Sequence, residues 1–448
     1  MHRLTGTIGL ALGLTLVLFL PAAAGAVSFG SATSYAAGTA PAGIASGDLS
    51  GDSKPDLVTA NSGSGNASVL LGNGDGTFQA PANYAVGTSP SSVMIGDLNG
   101  DGHPDLVVAN TDSNNVSRLL GTGTGTFGAA ANYAVGNGPT SVRLGDVNAD
   151  GKLDAVAAGT ATNAISVLLG DGAGGFAAAH PYPAAAGPSS VAIGDLNGDS
   201  KPDVVTSSYY SRAVGVLLGN GDGSFQAPVT HSVEANGIAV VAIADLNGDS
   251  KLDIATANHD GSSAAVLLGD GAGGFQSAGT FPAVNIPQSL AVADVDQDGK
   301  PDLVVPDFSG TTAAILIGAG NGTFARTAVV TVGAGPAAVV ATDLNGDGKD
   351  DIATANSGAT NVSVLLNSTT TTPPPPVKCV VPKVKGKTLA AAKKAIKKAH
   401  CRVGAVGKKY SKSVKKGRVI SQKPAAGKKL AKGAKVSLVV SRGRKAKH

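Results

Sequence analysis

Tryptophan is absent from the 448 residues, glutamate occurs once, at Glu234, and the two cysteines both lie near the C-terminus. Each shortage narrows the function. With one glutamate, glycoside hydrolysis would need a pair of aspartates facing one cleft, and the spacing of the acids points to no such pair. There is no Gly-x-Ser-x-Gly elbow, no His-Glu-x-x-His and no nucleotide-type glycine loop followed by Lys and Ser or Thr. Nucleophile-elbow hydrolases, zincins and P-loop enzymes are therefore set aside. The many Gly-x-Gly strings fall in turns between strands, not ahead of helices, and make poor phosphate cradles.

Long apolar runs are confined to the start of the chain. Arg3 supplies a positive charge, Ile8 to Leu20 is largely apolar, and Ala24-Gly25-Ala26 is a small-residue cleavage pattern. A bilayer span needs ~20 apolar residues, so residues 1–26 read as a secretory signal removed after Ala26, in preference to an anchor. No later segment is long and apolar enough to cross a membrane, so no span is expected after signal removal.

Charge is unevenly distributed. Of the 35 Lys and Arg, 24 lie from Lys378 onward, where none of the 31 acids is found; the remainder holds 11 basic residues and all 31 acids. An acidic body and a basic tail point to cations for the first and an anionic polymer for the second.

The body is periodic. Asp48, Asp97, Asp146, Asp195, Asp245, Asp294 and Asp343 recur every 49 residues, with one step of 50. A period near 50 marks a stacked or radial repeat. In one unit, Ser92 to Gly96, Leu106 to Ala109, Val116 to Leu120 and about Ala131 to Val135 read as four short strands separated by polar or Gly-rich turns. Such units build a propeller blade or a solenoid coil. The last unit stops at Asn367 without its fourth strand, and the mature N-terminus begins with that missing piece, Phe29-Gly30 and Tyr35-Ala36-Ala37-Gly38. Only a ring gains from that exchange, because it pairs both open edges. The expected fold of residues 27–367 is an all-β seven-bladed β-propeller.

Two aromatic columns keep the register: Phe29, Phe78, Phe127, Phe176, Phe225, Phe275 and Phe324, then Tyr35, Tyr84, Tyr133, Tyr182, His231, Phe281 and Val330. They are expected to anchor blade to blade, with His231 a replacement in a packing column, not a base. The segments Gly96-Asp97-Leu98-Asn99-Gly100-Asp101-Gly102-His103-Pro104-Asp105-Leu106 and Leu218-Gly219-Asn220-Gly221-Asp222-Gly223-Ser224-Phe225 resemble the FG-GAP/VCBS repeats of integrin-alpha-type propellers. That resemblance implies the same fold. It leaves function open, because such propellers serve adhesins, lectins and enzyme-associated modules.

Each repeat carries a loop of short-chain acids on a Gly-rich turn, the chemistry of a calcium site, which wants about six to eight hard oxygens. Positions 1, 3, 5 and 9 supply side-chain oxygens and position 7 a carbonyl. The sets are Asp48, Ser50, Asp52 and Asp56; Asp97, Asn99, Asp101 and Asp105; Asp146, Asn148, Asp150 and Asp154; and Asp195, Asn197, Asp199 and Asp203. The remaining three are Asp245, Asn247, Asp249 and Asp253; Asp294, Asp296, Asp298 and Asp302; and Asp343, Asn345, Asp347 and Asp351. Up to seven structural Ca2+ ions are expected, tightest in blade 6 with four aspartates and weakest in blade 1 with Ser50. Affinity should be of the modest extracellular kind, ~10⁻⁴ M or somewhat tighter. The alternative is seven metal-free Asx turns. Position 7, Lys in most blades and His103 in blade 2, is expected to point its side chain away.

Opposite these loops, the turns between second and third strands are bland in four blades, but blades 4, 5 and 6 carry Tyr209-Tyr210-Ser211-Arg212, Asn258-His259-Asp260 and Asp307-Phe308. Tyr209, Tyr210, Arg212, His259, Asp307 and Phe308 form a candidate patch for a glycan or protein ligand.

Residues 368–377, rich in Thr and Pro, read as a semi-rigid linker. Residues 378–443 read as a small α+β domain with strands at Val380 to Val384, Arg402 to Val406, Val419 to Gln422 and Val436 to Val440, and a helix from Leu389 to His400 whose Leu389, Ala392 and Ile396 share a face. Cys379 and Cys401 are expected to form a disulfide outside the cytoplasm, worth roughly 3 kcal/mol in the chain-entropy picture. The segments Val381-Pro382-Lys383-Val384-Lys385-Gly386, Val419-Ile420-Ser421-Gln422-Lys423-Pro424 and Lys432-Gly433-Ala434-Lys435-Val436-Ser437 closely resemble a PASTA domain. That resemblance implies peptidoglycan binding, with electrostatic attachment of residues 378–448, including the basic end 444–448, to an anionic wall polymer as the substitute. A single aromatic, Tyr410, argues against a base-stacking nucleic-acid platform. The chain as a whole reads as a secreted, extracellular, wall-associated bacterial protein. Its propeller mediates adhesion or glycan or protein binding; a ligand-free scaffold is the alternative, and a polysaccharide-acting enzyme comes third.

Overall fold

The computed structural model describes residues 27–235, 237–370, 379–431 and 433–445; the expected signal segment and most of the expected linker lie outside them. The chain divides into two compact units, Met1–Thr370 and Thr371–His448.

The first unit is seven four-stranded antiparallel sheets. Blade 2 is representative, with strands Pro90–Gly96, Asp105–Asn110, Asn115–Leu119 and Ala131–Ala134. Its second strand, DLVVAN, is buried at all six positions. A strand covered on both faces reads as a continuous apolar run, not an alternation. The fourth strand, ANYA, is largely exposed and commits chiefly Tyr133 to the interior. First strands pack on first strands of the next blade and enclose a central channel.

The ring closes through its ends. Thr33–Ala36 lies antiparallel to Asn361–Leu365, with Thr33 opposite Val364 and Tyr35 opposite Val362. It thereby completes the sheet that also contains Pro336–Thr342 and Asp351–Asn356. Ser368 N–H donates to the Ser28 carbonyl at 2.8 Å, and Ser28 N–H to Thr369 Oγ1 at 3.0 Å. The first residues of the expected linker are thus held on the propeller.

The aromatic columns meet between blades. Tyr35–Phe78, Tyr84–Phe127, Tyr133–Phe176, Tyr182–Phe225, His231–Phe275 and Phe281–Phe324 pack edge to face, with ring centroids 5.3 to 5.7 Å apart. Phe29 and Val330 share the seventh contact within one apolar cluster. Each aromatic pair is worth about 0.5–1.5 kcal/mol beyond its buried area.

The second unit places the helix Leu389–Lys398 against strands Arg402–Lys409, Val419–Lys423 and Lys435–Ser441. Thr388 Oγ1 caps the helix by accepting from Ala391 N–H at 3.4 Å, and Ala392 and Ile396 are its buried residues. Lys397 and Lys398 lie in the last turn, where the helix dipole favours them. The expected strand from Val380 to Val384 shrinks to Cys379–Val380, paired with the short strand Lys429–Leu430. Pro382 has no N–H with which to continue that ladder. The Cys379–Cys401 disulfide is formed, with both cysteines buried.

Candidate functional site

The acidic loops sit between the first and second strands of every blade. In blade 2, Asp97 Oδ1 accepts from Gly100 N–H at 2.8 Å and Asp97 Oδ2 from Gly102 N–H at 2.9 Å. Asn99 Oδ1 accepts from Asp101 N–H at 3.0 Å, and Asp101 Oδ1 from His103 N–H at 2.8 Å. These are nested Asx turns.

The ninth position differs from the others. Asp105 is fully buried, its Oδ2 accepting from Leu98 N–H at 2.9 Å and its Oδ1 from Gly121 N–H at 2.7 Å. The same two bonds recur at Asp56, Asp154, Asp203, Asp253, Asp302 and Asp351. In blades 1 to 6 this carboxylate staples the acidic loop to the Gly-rich turn of its own blade, and in blade 7 Asp351 ties it to Asn367. Burial pushes it above the usual carboxylate range in every blade, to about 7 at Asp302 and about 6 at Asp351.

At position 7, five of the six lysines turn back on their own loop. Lys54, Lys152, Lys201 and Lys349 reach the aspartate at position 5 of their own loop at 3.1, 3.4, 3.9 and 3.3 Å, and Lys300 pairs likewise with Asp298. The lysine stem lies across a glycine of the neighbouring turn, as Lys54 does over Gly74 and His103 over Gly123. These exposed pairs contribute little, of order 0–1 kcal/mol each.

Blade 6 gathers the densest acid. Ligand atoms of Asp294, Asp296 and Asp302 all lie within 4.8 Å of one another. Asp296 Oδ2 is buried without a hydrogen-bond partner. A buried, unpartnered carboxylate oxygen beside two more carboxylates is the arrangement a hard divalent cation would satisfy. Asp350, at a loop position that is Pro or Leu in the other blades, accepts from Asp294 N–H at 3.2 Å. Sequence reasoning passed over Asp350; its departure from that pattern is the signal that marks it.

On the opposite face, three of the six expected patch residues converge. Tyr209, His259 and Phe308 line a cavity of about 620 Å³ at the mouth of the central channel, with Gln288 and the hydroxyls of Ser91, Thr140 and Ser189. Tyr209 Oη stands 3.4 Å from His259 Nδ1, which is 2.7 Å from Asp260 Oδ1. Burial, then Asp260, raises the Tyr209 phenol above its ordinary value. The other three residues lie elsewhere. Tyr210 is 76% exposed and packs edge-on to Tyr209. Arg212 is exposed outside the cavity. Asp307 closes its own turn, accepting from Ser309 Oγ at 2.7 Å.

Comparison with known proteins agrees with this architecture. The FG-GAP-like repeat family matches residues 48–108, 97–157, 146–206, 201–256 and 245–305, and the FG-GAP repeat residues 287–325 and 334–366. The chain belongs to the FG-GAP-like repeat family, and its first unit is a β-propeller. The PASTA domain family matches residues 380–442. A probable serine/threonine-protein kinase of Clostridium acetobutylicum is 43% identical over 63 residues, 14% of this chain and 10% of the kinase.

Among solved structures, BBS1N from its complex with ARL6DN superposes with a TM-score of 0.55 at 11% identity, covering 77% of this chain and 97% of that one. Virginiamycin B lyase from Staphylococcus aureus gives 0.52 at 14% identity, covering 75% and 99%. These likenesses carry the fold alone. Repeats of this kind together with a PASTA domain are the parts of a cell-surface, wall-binding protein in general.

Proposed function

We propose that this is a secreted, calcium-stabilised surface protein whose PASTA domain attaches to peptidoglycan or an anionic wall polymer while the propeller binds a glycan at its channel mouth. The observation that carries the propeller half is the cavity where Tyr209, His259 and Phe308 meet. Aromatic faces beside polar groups suit a sugar ring, which presents apolar C–H faces and hydroxyls at once. A protein loop is the other occupant this mouth could take. The attachment half rests on the PASTA match and on a unit that carries no acid to offset its lysines.

Calcium would be held by positions 1, 3, 5 and 9 of the loops, and foremost by Asp294, Asp296 and Asp302. It would neutralise carboxylates crowded at the blade rim, a structural role.

Co-sedimentation with purified bacterial cell wall tests the division of labour. The full mature protein should pellet, and a version ending at Asn367 should stay in solution. Pelleting of both forms alike would assign the wall contact to the propeller. A glycan screen then tests the mouth: Tyr209→Ala with Phe308→Ala should abolish binding of any glycan that the version ending at Asn367 retains.

A further inference from the structure

The channel beneath the mouth holds a charge that nothing described above uses. Arg143 lies in the first strand of blade 3, Pro139–Gly145, and lines the interior cavity of about 400 Å³. At its repeat position the other six blades carry Ala45, Met94, Ala192, Ala242, Ala291 and Val340. One cation thus interrupts a ring that is otherwise apolar. Its Nη1 donates to the Val142 carbonyl at 2.9 Å and lies 3.6 Å from Met94 Sδ. Among the described residues it makes no ion pair, and no acid lines its cavity. Burial alone depresses the guanidinium below its ordinary value. A partly buried guanidinium facing the channel with most of its donors unused is a good anion receptor.

The rest of the channel narrows the ligand. Between the mouth and Arg143, the Thr140 and Ser189 hydroxyls donate across blades to the Ser189 and Ala239 carbonyls at 2.9 and 2.8 Å. Their protons are spent, so toward the channel their oxygens offer only acceptor lone pairs. A ligand lying along this wall must bring its own hydrogen-bond donors, which a sugar's hydroxyls supply. Thr140 and Arg143 are three residues apart on one strand, ~10 Å of channel.

We infer that the propeller channel is a binding site for a polyhydroxy acid, a sugar-like ligand whose terminal carboxylate or phosphate pairs with Arg143 while its hydroxyls donate to Thr140 and Ser189. This deepens the glycan reading of the mouth and rests on it for the ligand's neutral end, but not for the anion. Arginine pairs bidentately with either oxyanion.

Calorimetric titration of the full protein with glucuronate, inorganic phosphate, glycerol phosphate and glucose tests the site. Glucuronate should bind saturably and glucose much more weakly. Saturable binding of phosphate, and tighter binding of glycerol phosphate than of glucuronate, would identify the phosphate source instead. Arg143→Met restores the apolar ring, leaves the basic tail unchanged and should weaken the bound anion by about tenfold or more; Arg143→Lys should retain part of the affinity. Arg143→Met should fold, and without ligand should melt no lower than the parent. Identical isotherms for the parent and Arg143→Met with both anions would overturn the site, as would glucose binding as tightly as glucuronate. Tyr209→Ala separates the two readings, because it should weaken the hold on the sugar end while whichever anion the parent binds stays dependent on Arg143.

Discussion

Asn61, Asn258 and Asn356, each the last residue of a second strand, are buried, and the oxygen of each accepts from the threonine two residues earlier at 2.8–2.9 Å. In blade 2 that threonine is Val108, and Asn110 Oδ1 is buried without a partner. Val108→Thr, nearly the same shape, should supply the missing donor and stabilise the propeller by about 1 kcal/mol. Denaturant unfolding of the single variant measures it. A second residue-scale test concerns His231, which stands in the tyrosine column packed on Phe275 with Nε2 buried and unpartnered. Burial lowers its pKa below the ordinary value. A histidine depressed in the folded state contributes stability that is present above its unfolded pKa of about 6.5 and is lost as pH falls through the folded pKa. His231→Tyr should therefore lose less stability than the parent between about pH 7 and pH 5, and comparing the two cancels the titration of the aspartates. The column itself was legible in the sequence because it repeats. The asparagine network was not: its turns read as bland, since a buried side-chain bond between neighbours leaves no periodic trace distinct from an ordinary polar turn.

At the scale of elements, spacing alone located four strands per unit to within a residue or two, because each lies between turns rich in Gly, Pro, Asp and Asn. What spacing could not give was the link between the acidic loop and the Gly-rich turn, since Asp105 and Gly121 are 16 residues apart and joined by one side chain. That link makes glycine obligatory. A Cβ on Gly121 would sit 2.1 Å from the Pro104 carbonyl oxygen. Gly121→Ala must move the turn off Asp105, leaving a buried carboxylate oxygen without its donor, and should destabilise by more than about 3 kcal/mol. An alanine at exposed Gly100, whose surroundings are open, should cost far less, mostly backbone strain at its positive φ. Equal losses at the two sites would refute the staple. In the second unit, the helix was legible from Ala392 and Ile396 on one face, whereas the two-residue strand Cys379–Val380 was overestimated because apolar residues continue past the point where Pro382 ends the pairing.

At the scale of the propeller, ring closure was legible because the missing strand of the last repeat stands ahead of the first repeat in the sequence. The channel was not. A single arginine in a strand reads as solvent-facing, and only the ring places Arg143 on an inner wall. The seven acidic loops share one rim, so the metal question belongs to this scale too. Without a cation, the blade 6 carboxylates repel, and the unpartnered Asp296 oxygen is a net loss. With a cation, the same oxygen is a ligand. Asp296→Asn, which installs the residue usual in the other loops, should therefore change sign with conditions. In EDTA it should raise the melting temperature slightly. In millimolar calcium it should lower it relative to the parent, by the lost binding at the tightest site. The parent itself should melt substantially lower in EDTA than in calcium. Differential scanning calorimetry of both proteins under both conditions separates the possibilities. A reversal of order assigns a cation to Asp294, Asp296 and Asp302. The same order in both conditions would mean that the blade 6 loop, like a bare Asx turn, folds by its own hydrogen bonds.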